Sequence, residues 1–495
     1  MRVDPVGAAW CTRTGRSTVK LIALLVVLIA ACGGNDTALS VEQLRDPATC
    51  AECHPQHFTQ WSGSMHAYAS EDPVFVALNK RGQRDTDNKL GDFCIKCHAP
   101  MAVELGLTNG IDYDPAMLPA GAKGITCYFC HNVESVGELH NNGLVLANDQ
   151  TMRGGVKDPI KNSAHFSKYD AKMDSDANES EMCGSCHDIV VPEAINGVPG
   201  GLAIERTFLE WQTSFFATDK RPGIHLTCGS CHMISKTDVI ADGENLDVPS
   251  RNFGFHEHMW PAIDQALIPF PETAAQAEAI ARDLDPSVAI IGAIPLGENA
   301  PTGGICVNPG QGGQIVVRID GLGIGHKFPS GAAQDRRTWI ELIAYDAANI
   351  VVFSSGIVPD QMDPEETNDP NLKFHWDQTF KADNTPSHFF WDAVRSDDSK
   401  LLLQPTTLDK NSPAFDHSMK HEYKPLGGLI NQIDHIEVRL RVRPFPFVML
   451  RDLVDSGDLD ASFLDKIPTL DVSSTMRVWN KAGPLNADGC MTRPN

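Results

Sequence analysis

Ten of the fourteen cysteines fall into five copies of one pattern: two cysteines three positions apart, followed at once by a histidine. The copies are Cys50, Cys53, His54; Cys94, Cys97, His98; Cys127, Cys130, His131; Cys183, Cys186, His187; and Cys228, Cys231, His232. With this composition, chance would produce the pattern about 0.01 times in the chain, so five copies reflect function. Two thiols on one helical turn reach the two vinyl groups of a single porphyrin and form thioethers. The imidazole that follows then points at the iron as its proximal ligand. A zinc site needs paired cysteine units closing four-ligand cages and leaves the histidine after every pair unexplained. A disulfide framework fails for the same reason. The motifs therefore predict five covalently attached c-type haems, with His54, His98, His131, His187 and His232 as proximal iron ligands.

What each iron can do depends on its sixth ligand. A second histidine closes the iron and suits it to electron transfer, whereas an open position can bind a substrate. Thirteen of the eighteen histidines remain for this role. His66 lies one short helix past the first motif. His165 precedes the fourth motif, His258 follows the fifth, and His326 sits in a Gly325-to-Gly331 frame that would aim its ring. These four are the distal candidates. The fifth iron is left with His140, His225 or His256, or with an open position. His57 is too close to its own attachment site to reach another iron well. The histidines from His375 to His435 are read as surface residues.

The elements that must hold these groups lie in residues 45–270, which have many Gly, Asn, Asp and Lys and few long amphipathic runs. Alone they could bury only a small core, so this mainly helical and loop domain is expected to need its porphyrins, much as small metal-dependent domains need their metal. Residues 271–305 read as a connecting helix, Glu272 to Asp285, followed by a Gly/Pro-rich linker. Residues 306–495 turn to β patterning. Gln314–Ile319, Thr338–Tyr345, Ile350–Phe353 and Ile436–Val442 read as strands, and a β-sandwich of immunoglobulin type is expected. Pro446 to Thr469 breaks that pattern as helix and loop. Cys306 and Cys490 bracket this domain and form a possible disulfide. The acidic loop from Pro359 to Asp369 is read as solvated in preference to a calcium site.

Three stretches resemble the multihaem cytochrome c family that includes the tetrahaem acceptor of hydroxylamine oxidation. They are Cys50 to Ala67, then Cys183 to Met233 with Glu205 to Ser214 inside it, and His258 to Leu267. The resemblance implies closely stacked haem pairs and largely bis-histidine ligation. Similar proteins often carry a β domain after a Gly-His-x-Phe-Pro stretch, which would let His326 reach back to the haems. Pentahaem nitrite reductases are similar in haem count, but their active haem sits on a C-x-x-C-K motif, which this chain lacks. Tyr128 and Tyr169 are read as packing groups.

The chain is acidic, with 64 Asp and Glu against 41 Lys and Arg and a net charge of −23. Such a field repels nucleic acid and favours basic redox partners. Met1–Ala31 has a basic stretch and then a short apolar run, Leu21 to Ala31, ending before Cys32. It reads as a lipoprotein signal, with Cys32 as the lipidated residue and residues 32–44 as a tether. The expectation is an exported bacterial lipoprotein at the periplasmic side or surface of the outer membrane. It would pass electrons between redox proteins, some membrane-bound or porin-associated. The alternative is a reductase or oxidase of a small nitrogen or sulfur compound at one open haem.

Overall fold

The computed structural model describes residues 38–160, 164–174, 180–242, 247–290, 304–310, 312–321 and 323–491. The signal segment and Cys32 lie outside these residues. The tether, by contrast, gives way to structure at its end. Ser40 and Gln43 close a capping box on the Val41–Arg45 helix, and Leu44 is buried. Satisfying two otherwise orphaned N–H groups and burying one leucine is enough to fix a single turn here.

The first half is built from short pieces. The motifs at Ile95–His98, Cys127–His131 and Cys228–His232 each occupy about one helical turn. Thr126 and Thr227 cap two of these turns by accepting hydrogen bonds from Phe129 N and Ser230 N. A threonine oxygen in that position supplies the partner that the first N–H groups of a helix lack. Two-stranded ribbons follow the last two motifs: Ile189–Val191 with Leu202–Glu205 after the fourth, and Ser235–Asp238 with Arg251–His256 after the fifth. The apolar core of this half is small and gathers Leu44, Phe75, Ile95, Met101, Tyr128 and Phe129. Tyr128 packs there and donates its hydroxyl to Asp149 O, while Tyr169 donates to Asp174.

Two antiparallel four-stranded sheets dominate the second half. One joins Ile305–Asn308, Gln314–Asp320 and Met419–Tyr423, with Ala289–Ile290 also pairing to the central strand. The other runs Val351–Ser355, Arg337–Tyr345, His435–Arg443 and Leu470–Asn480. Its register sets Ile340 against Leu440, Leu342 against Val438 and Ala344 against Ile436. These pairs pack with Ile315, Val317 and Ile319 of the first sheet in one continuous core. Each such side chain contributes roughly 1.5–3 kcal/mol when removed from water. A disulfide joins Cys306 to Cys490. Phe447–Asp455 is helical.

Two expectations change here. Contacts also cross the division at residue 270. The Pro73–Asp85 helix shares a core with the Phe447–Asp455 helix through Val74, Ala77, Leu450 and Leu453. The connecting helix, Thr273–Leu284, is likewise packed into both halves. Gln276 donates to Gly63 O, and Leu284 enters the sheet core. The acidic loop is solvated only in part: Asp360 and Glu365 are exposed, but two of its carboxylates are used inside the fold. Asp363 is fully buried and accepts from Phe447 N and Val448 N at a helix start, and Asp369 accepts from Ser355 Oγ and Gly356 N. Nor is His375 a surface residue. It is fully buried and hydrogen-bonds Lys400 O through Nδ1.

Candidate haem centres

Four of the five proximal imidazoles face a second imidazole at nearly one distance. His54 and His165 have ring centres 6.3 Å apart, as do His131 with His258 and His66 with His187; for His232 with His326 the value is 6.4 Å. A metal–imidazole bond of about 2.0 Å plus about 1.1 Å from nitrogen to ring centre, taken on both sides, gives about 6.2 Å. Each pair therefore has the spacing of two axial ligands on one iron. The residues come from far apart in the chain, and His326 reaches in from the β-rich half.

The outer ring nitrogens support the same reading. Nδ1 hydrogen-bonds a backbone carbonyl in His54 (Ile240 O, 2.6 Å), His131 (Arg153 O, 2.6 Å), His232 (Pro261 O, 3.1 Å) and His98 (Ala69 O, 3.2 Å). Among the distal candidates, His165 bonds Phe166 O, His258 bonds His256 O and His326 bonds Lys327 O. A carbonyl at Nδ1 fixes the proton there and leaves the Nε2 lone pair for a metal. Burial also keeps these rings neutral, as a ligand must be. It pushes His66 down to about 3 and His258 down to about 3, with neighbouring histidines adding to the effect. Nδ1 of His66 is buried without a hydrogen-bond partner.

His98 stands apart. The ring packed on it is Phe75, parallel at 3.9 Å. Among the described residues no imidazole faces it at the spacing of the other four. His140 instead lies 4.0 Å from Glu138, His225 bonds Phe216 O and His256 bonds Met233 O. His57 stacks on Phe255 and has an edge contact with His258.

The attachment thiols cluster across motifs. Cys50 contacts Cys127, Cys97 contacts Cys186, and Cys183 contacts Cys228. The first motif thus adjoins the third, the second adjoins the fourth, and the fourth adjoins the fifth.

One residue that motif reading alone does not single out is Glu205. Its Oε1 lies 3.7 Å from Nδ1 of His187. Burial lowers the His187 pKa, but Glu205, with Cys228 and Cys97, raises it, and the net shift is upward. The sequence signal was present only as part of the Glu205-to-Ser214 stretch, where nothing tied it to an iron ligand.

Residues 49–132, which contain the first three motifs, match the family model described as cytochrome c554 and c-prime. No curated protein matches the chain. Among solved structures, the chain is similar to a penta-heme cytochrome c552 from Thermochromatium tepidum, at 17% identity and a TM-score of 0.55. That likeness covers 89% of this chain and 97% of the other, and at such identity it speaks for the fold. The matched segment, the shared fold and the repeated attachment motif together support a multihaem c-type cytochrome.

Proposed function

We propose that this chain conducts electrons through five covalently bound haems, four of them closed by paired histidines. The pairs that would hold the irons are His54 with His165, His131 with His258, His187 with His66 and His232 with His326. The observation that carries this reading is the common 6.3–6.4 Å spacing of the four imidazole pairs. Bound haem supplies an iron that cycles between ferric and ferrous, one electron at a time. The chain's own residues hold and tune it. Backbone carbonyls orient the ligand rings, and the surrounding aromatic groups limit water, which lowers the local dielectric. The contacts between the cysteines of neighbouring motifs would bring haems bound there near one another, which suits electron passage between them. The acidic surface suits basic redox partners, and the N-terminal lipobox suits a protein tethered at the periplasmic or outer-membrane face.

The surroundings of His98 favour a second reading for one centre. A haem on the second motif would have His98 as its single imidazole ligand, leaving a position for a small nitrogen or sulfur compound. The other haems would then serve it as an electron relay.

Low-temperature EPR on oxidised, haem-quantified protein tests both readings. Four low-spin ferric haems and one high-spin haem per chain are expected. Five low-spin signals would remove the open-site reading and leave pure electron transfer. Two or more high-spin haems would overturn the axial pairs assigned above.

A further inference from the structure

Four of the five proximal histidines present Nδ1 to a backbone carbonyl. His187 faces a carboxylate, Glu205 Oε1 at 3.7 Å. This is outside ordinary hydrogen-bond range, so the contact acts mainly through charge. We infer that Glu205 is a tuning residue that sets the haem of the fourth motif at a lower potential than a carbonyl partner would. The inference rests on the haem reading proposed above.

The placement is built into the fold. Glu205 ends the Leu202–Glu205 strand, where it pairs with Ile189, two residues beyond His187. The ribbon therefore fastens the carboxylate to the motif it acts on. Its side chain is only 15% exposed. The loop of the β-rich half covers it: a Cβ at Gly331 would lie 3.9 Å from Glu205 Oε1. Gly331 also has φ +75°, a conformation that favours glycine, so the loop approaches closely without a side chain in the way.

The physical argument is one of charge. Reduction adds one electron to a ferric centre and lowers its positive charge by one. A fixed carboxylate next to the ligand ring stabilises the more positive ferric state and strengthens electron donation from the imidazole. A backbone carbonyl, having no net charge, does this less. Because the fourth motif adjoins both the second and the fifth, its potential governs traffic between them.

The test is a spectroelectrochemical titration of the full-length holoprotein and two variants, with haem quantified in each. In Glu205→Gln one haem should become easier to reduce. Its reduced-to-oxidised ratio at a fixed potential should rise about tenfold or more, which is about 59 mV for a one-electron couple. Its low-spin EPR signal should persist. Glu205→Asp keeps the charge and should stay within about threefold of wild type. The inference is overturned if no haem moves tenfold in Glu205→Gln, or if all move together. It is also overturned if the variant turns a low-spin haem high-spin, since Glu205 would then be holding structure. A wild-type protein without a haem on the fourth motif would instead defeat the haem reading itself, and haem counting separates that failure from the others.

Discussion

The two halves bury apolar surface by different means. In the β-rich half, strand alternation sends Ile340, Leu342, Val438 and Leu440 into a shared sheet core that needs no other group to fill it. In the motif-bearing half the helices run about one turn around each attachment site, and the side chains that converge are histidines and cysteines. A one-turn helix gains too few hydrogen bonds to offset its nucleation cost, so it is stable only when something packs on it. The first half is thus organised around its C-x-x-C-H motifs, whereas the second is organised around its own side chains.

The strongest way to break that contrast is to block haem attachment. Chain produced without the thioether links should lose the fold of residues 38–270 while the disulfide-closed β-rich half survives. Limited proteolysis with mass spectrometry should return protected fragments from about Ile305 to Met491. Equal digestion of both halves would show that the sheets also depend on haem.

The next largest effect concerns the joint between the halves. Arg336 makes a two-pronged ion pair with Asp264, at 2.7 and 2.8 Å, with both side chains largely buried. Removing one partner of such a pair strands the other, at about 3–5 kcal/mol. Arg336→Ala should therefore lower the unfolding midpoint and, if the halves are coupled, make them unfold in separate steps. A single unchanged transition in calorimetry would count against the coupling.

The β-rich half should carry its own acid sensitivity. Burial, first of all, lowers the pKa of His375 to about 4. The unfolded chain, with an ordinary value near 6.5, takes up the proton first as pH falls. Stability from this site is thus complete above about pH 6.5 and is lost progressively down to about pH 4, by up to about 3 kcal/mol. His375→Gln, which keeps a donor for Lys400 O, should flatten that slope in denaturant titrations run across the range.

The smallest effect is expected at a surface tie between the halves. Arg84 holds Asp458 with both of its terminal nitrogens, and that contact keeps the Asp458 carboxyl well below the ordinary range. Its contribution is present above about pH 4 and fades as acid protonates the carboxylate. Because Arg84 is half exposed, Asp458→Asn should cost about 1 kcal/mol or less at neutral pH, and less still in high salt.

The motif part of the candidate site was legible because two cysteines and a histidine at fixed spacing form a local pattern. The strands within Arg337–Tyr345 and His435–Arg443 were legible too, the first from its β-rich composition and the second from its alternation, both local properties. The burial of Asp363 was not, because it depends on the start of a helix more than eighty residues away. His375 misled for the same reason: a lone histidine gives no local sign that a carbonyl 25 residues on will receive its N–H.

By itself, then, the sequence determined the five C-x-x-C-H motifs with their adjoining histidines, the acidic field and the division into motif-rich and strand-rich stretches. Each of these is written in adjacent residues or in composition. Only the tertiary structure decided which histidine faces which, that His98 meets Phe75, that Glu205 meets His187, and that the two halves share a core. These are contacts between residues tens to hundreds of positions apart, and spacing along the chain carries no information about them until the fold brings them together.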